Sequence, residues 1–71
     1  MIEQNDALRI QQLALSAVES LTAALDVSVT IASPEVQNEL KRGIGITIGL
    51  IETEVLAVLY RIHPDIDPLT N

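Results

Sequence analysis

Ser33-Pro34-Glu35 stands near the midpoint of this 71-residue chain, between two long aliphatic stretches, and it fixes where the chain can turn. A serine hydroxyl accepts from the free N–H groups of a first helical turn. A proline fits there because its missing N–H is not needed, and an acid near the positive helix end is favoured. A helix therefore starts after Ser33, and the spacing predicts an all-α fold of two helices folded back as an antiparallel hairpin.

Before the boundary, Asn5 or Asp6 is the candidate cap of a helix over residues 7–32. Its apolar face runs Ile10, Ala14, Ala17, Leu21, Ala24, Ser28 and Ile31, in steps of four and three. Leu13, Val18 and Leu25 widen this stripe, while Gln12, Glu19 and Asp26 recur every seven residues opposite it. After the boundary, a helix over residues 34–62 carries Val36, Leu40, Ile44, Ile48, Ile51, Val55, Val58 and Ile62 on one side. Gly45, Gly49, Glu52, Leu56 and Tyr60 lie on the other, with Ile46 and Leu50 alongside. A helix that is apolar on more than one side is buried on more than one side, and a single antiparallel neighbour cannot cover it. The prediction is one domain, 1–71, that dimerises into a four-helix bundle and ends in a flexible tail, residues 63–71, cut off by Pro64 and Pro68.

Size points the same way. A chain this short has little interior to offset chain entropy, and without cysteine no disulfide or thiolate metal site can support it. Hydrophobic residues make up 48% of the sequence with a single aromatic, Tyr60, so the core is aliphatic. The local signals also admit strands: Val27–Ile31 and Ile44–Ile48 alternate β-branched with small residues, and Lys41-Arg42-Gly43 resembles a helix end. Two short strands would bury little and leave open edges, which favours the helical reading.

Charge narrows the chemistry. The net charge of −6, with only Lys41-Arg42 adjacent among the cations, opposes binding of a phosphate backbone, so no nucleic-acid partner is expected. Residues 43–62 are long enough to span a bilayer, but Glu52 and Glu54 near the middle would each cost about 2 to 3 kcal/mol there. A membrane span is therefore disfavoured, and a helix lying on a membrane surface stays as an alternative. Residues 1–6 lack the charged and apolar regions of a secretory signal, which suggests the cytoplasm.

Catalytic signatures are missing. The serines have one histidine, His63, as a possible base, and no glycine-rich elbow or phosphate loop is present. His63, Asp65 and Asp67 share metal-ligating composition without fixed geometry, and Glu52 and Glu54 lie about 200 degrees apart on a helix, too far for a dyad. No enzyme activity, metal or cofactor is expected. Glu54, nearer the core, is a candidate to pair with Arg9 or Arg61 and set register. The candidate site is instead a protein interface: the pair Gly45 and Gly49, spaced for a close helix crossing, with Ile46, Leu50, Leu56 and the anchor Tyr60.

Two families share this layout. Ala17-Val18-Glu19-Ser20-Leu21, Pro34, Gln37, Gly43-Ile44, Ile48, Leu50, Glu52 and Val55 resemble a group of short, uncharacterised bacterial helical-hairpin proteins, a resemblance that implies no activity. In size and hairpin architecture the chain is also similar to the small co-chaperones of type III secretion systems, which implies a client protein. The sequence thus suggests an acidic homodimer that binds another protein as adaptor, regulator or inhibitor, with a client-stabilising co-chaperone as the alternative.

Overall fold

A computed structural model describes residues 2–69. Helix α1 spans Gln4–Ser28, a turn follows, and α2 (Pro34–Leu50), a π-helical segment (Ile51–Leu56) and α3 (Ala57–Ile62) run on as one rod, Pro34–Ile62. A 3-10 turn, Pro64–Ile66, completes the path. The fold is all-α, a helical hairpin, and among the described residues there is no strand. Residues 44–48 lie within α2, and residues 27–31 are the end of α1 and the start of the turn.

The turn forms where Ser33 places it. Ser33 Oγ accepts from the Val36 amide at 3.4 Å, and Pro34 opens α2. α1 stops at Ser28, short of the expected 32, because hydroxyls there compete for the carbonyls that would continue the helix. Ser28 Oγ donates to Leu25 O at 2.6 Å and Thr30 Oγ1 to Val27 O at 2.7 Å. Gln37 then ties the turn down by donating from Nε2 to the carbonyls of Val29 and Ile31.

At the other end α1 begins at Gln4, three residues earlier than expected, with Glu3 rather than Asn5 or Asp6 at the cap position. No side chain caps it. Its first turn is ordered by tertiary contact: His63 Nε2 donates to the Ile2 carbonyl at 2.8 Å, and the Gln4 amide donates to Asp65. The segment expected as a flexible tail thus packs back on the start of α1 through residue 66. Gln11, buried in α1, fastens it further, its Nε2 donating to Tyr60 Oη at 3.0 Å and to Ile66 O at 3.2 Å. The most buried apolar residues, Ala7, Leu56 and Leu59, sit here, with Ile2, Ala14, Ile51, Tyr60 and Ile66 packed around them.

Along the hairpin the buried and half-buried positions of α1 are Ala7, Gln11, Ala14, Val18, Leu21, Leu25 and Ser28, a regular alternation of four and three. Ala14, Leu21 and Ser28 were expected there. Ile10, Ala17 and Ala24 were expected too, but they are exposed, because the helix is rotated to bury the larger Val18 and Leu25 instead of the alanines. The rod contributes Ile44, Ile48, Ile51, Val55, Val58 and Ile62 as expected, whereas Val36 and Leu40 face away.

Candidate interaction surface

The hairpin measures 47 × 21 × 15 Å. A helix with its side chains is about 10–12 Å across, so the molecule is two helices wide and little more than one thick. Its radius of gyration of 14.9 Å exceeds the roughly 11 Å of a compact chain of this length. Domains are built from at least two packed layers, and this chain supplies one.

Consequently much apolar surface is uncovered. Ile10 (39% exposed), Leu13 (59%) and Val27 (65%) join Ala17 and Ala24 in a row on one flank of α1. Val36 (42%), Leu40 (39%) and Leu50 (51%) form a row on the rod, with Gly43 and Thr47 between them. By helical spacing each row is offset from its seam by about a quarter turn in the same rotational sense. With the two axes antiparallel, both rows fall on the same broad side of the hairpin. Asp6 and Glu54, at the open end of the hairpin, fall in line with the two rows and bring charge to that end of the face.

The six residues expected to form an interface are divided by the structure. Leu56 is 6% exposed, Tyr60 is half-buried and bonded to Gln11, and both belong to the chain's own core. Gly45, Ile46 and Leu50 are exposed and Gly49 half-buried. A Cβ placed on Gly43, Gly45 or Gly49 would meet nothing within 4 Å, so none of the three has a packing role inside the hairpin. Gly45, Ile46 and Gly49 lie on the outer edge and opposite side of the rod, and only Leu50 of the six joins the broad face.

The charged candidates are dispersed. Glu52 and Glu54 are both exposed, and Glu54 pairs with neither Arg9 nor Arg61 among the described residues. His63 Nδ1 lies 4.0 Å from Asp65 Oδ1. Among the described residues no three His, Asp or Glu side chains converge as a metal site. The broad face itself was missed in the sequence because Ile10, Val36 and Leu40 were assigned to the seam. The signal that could have found it is that α1 carries two parallel apolar rows, one through Val18, Leu21 and Leu25 and one through Ile10, Leu13 and Val27, and a single neighbouring helix covers only one of them.

Comparison with protein-family models, curated proteins and solved structures finds no match. The functional reading therefore rests on the geometry of the chain itself.

Proposed function

We propose that the protein is a small acidic protein-interaction module that works as a homodimer, with a second copy packed on the broad apolar face to form a four-helix bundle. The observation that carries this is a single helical layer with an apolar face contributed by both helices. The accessible surface of 5160 Å² is about 800 Å² more than the roughly 4,300 Å² of a compact monomer of 7.7 kDa. That excess equals about what one partner buries in a stable interface. A second copy presents the same face, so a two-fold pairing matches apolar to apolar without new chemistry. The bundle then displays the acidic outer surfaces to an adaptor's or regulator's target.

The test is the solution mass of the wild type beside Leu13→Asp and Leu40→Asp. Both side chains lie outside the seam, so each variant keeps its helix content while the dimer is lost. Dimers that survive both substitutions would refute this face. A hairpin that stays monomeric until a different protein is added would favour the client-stabilising reading.

One observation supports a second reading, contact with lipid. The rod has a window of mean hydropathy 1.6 of which only 11% is buried, long and apolar enough by composition to cross a membrane. Glu52 and Glu54 oppose full insertion. Co-flotation with phosphatidylcholine vesicles would support this reading, and failure to float with phosphatidylcholine or phosphatidylglycerol would remove it.

A further inference from the structure

On the far side of the rod from the broad face, an open groove of about 430 Å³ runs between the π segment with α3 and the end of the folded-back tail. Its apolar walls are Leu56, Ala57 and Tyr60 on one side and Pro68 and Leu69 on the other. Its charged lining is two carboxylates, Glu52 and Asp67, and no lysine, arginine or histidine lines it. The volume falls within the range of clefts that bind ligands.

Two independent features mark this groove out. The first is the backbone: the Ala57 amide donates to the Glu52 carbonyl five residues back, closing a π turn, and both residues of that turn line the groove. π turns are rare insertions, found frequently at functional sites, and this one widens the helix where the groove opens. The second is Leu69, which forms part of the apolar wall yet is 95% exposed, an aliphatic lip left open by the described residues. The walls are held in place. Tyr60 Oη accepts from Gln11, and Asp67 Oδ1 accepts from the Leu69 amide at 2.9 Å.

We infer that this groove binds a cationic side chain, arginine or lysine, carried beside an aliphatic residue on a partner polypeptide. The ammonium or guanidinium group would lie between Glu52 and Asp67, and the aliphatic neighbour would pack on Leu56, Pro68 and Leu69. Charge complementarity selects this occupant: the groove is lined by the acidic side chains Glu52 and Asp67 with no basic residue beside them, and the chain as a whole carries a net charge of −6. The inference rests on the reading that the protein acts by binding another protein. It does not depend on self-association, because Glu52 lies on the side away from the proposed dimer face.

The experiment is titration of the isotope-labelled full chain with acetyl-Leu-Arg-Leu-amide and, separately, acetyl-Leu-Glu-Leu-amide, followed by amide chemical shifts. The arginine peptide should give saturable shifts confined to residues 52–60 and 67–69, bind at least tenfold more tightly than the glutamate peptide, and weaken as sodium chloride is added. Glu52→Gln and Asp67→Asn should each weaken it at least threefold with the rest of the spectrum unchanged. Asparagine keeps the acceptor that the Leu69 amide uses. No saturable shift, equal binding of the two peptides, shifts centred elsewhere, or indifference to both substitutions would each overturn the proposal. The mass of the same samples separates the two readings: a monomer that binds the arginine peptide sinks the homodimer alone, and a dimer that does not bind it sinks the groove alone.

Discussion

Replacing Gly45 and Gly49 together with alanine separates what the hairpin needs from what its partner needs. Each glycine sits in the interior of α2 and meets open space where a Cβ would stand, so alanine adds helix propensity at no steric cost within the chain. The gain is about 0.8–1 kcal/mol per site, or about 2 kcal/mol for the pair. For a domain of this size that corresponds to a rise in Tm of roughly 8–16 °C. Because both positions lie outside the broad face, the rise should be the same at every protein concentration. A close crossing of rods at the glycines predicts something different, since each new methyl would meet the partner helix twice in a two-fold dimer. Overpacking there costs about 1–3 kcal/mol per contact, which cancels the gain once the dimer is populated. The assay is thermal unfolding by circular dichroism over a hundredfold concentration range. A lower Tm at the most dilute point would refute the open space around the glycines. A gain that disappears as concentration rises would move the interface from the broad face to the glycine edge.

Three further substitutions probe how the hairpin is held. Leu56→Ala should destabilise the fold by about 2–4 kcal/mol, because Leu56 belongs to the core where the chain ends meet, and urea unfolding measures it. Gln11→Leu deprives Tyr60 Oη and the Ile66 carbonyl of their shared donor. It should cost about 1–2 kcal/mol and speed amide exchange at Ile66 and Asp67, whose N–H groups close the 3-10 turn. Ser33→Ala removes a capping bond that is long at 3.4 Å, so the loss should fall near the low end for caps, about 0.5–1 kcal/mol by equilibrium unfolding.

Local chemistry was legible in the sequence and tertiary choice was not. The Ser33 cap and Pro34 start are dictated by groups within a turn of one another, and they appear where the residues place them. Which of two apolar rows on α1 enters the seam depends on what the other helix presents. Val18 and Leu25 are half-buried in the seam where Ala17 and Ala24 are exposed, and each has more apolar area to bury than an alanine. The tail escaped because prolines mark where a helix ends and say nothing of where the chain goes next. Its docking depends on Gln11, Gln4 and His63, polar residues that only proximity pairs. The π turn at Ile51–Leu56 likewise has no signature in a run that reads as unbroken helix. Of the expected interface, Leu56 and Tyr60 pack inside the chain, Leu56 in the core with Ala7 and Leu59 and Tyr60 against it with its hydroxyl bonded to Gln11, a pairing set by which part of α1 faces the rod.

The most direct measurement is sedimentation equilibrium of the wild-type chain from about 1 to 200 μM. A one-layer hairpin closed by its own copy predicts a reversible shift from 7.7 kDa toward twice that mass, with Tm rising in step with concentration. A single species at 7.7 kDa across the range, unfolding cooperatively at a Tm independent of concentration, would show that the layer is stable alone and contradict the account.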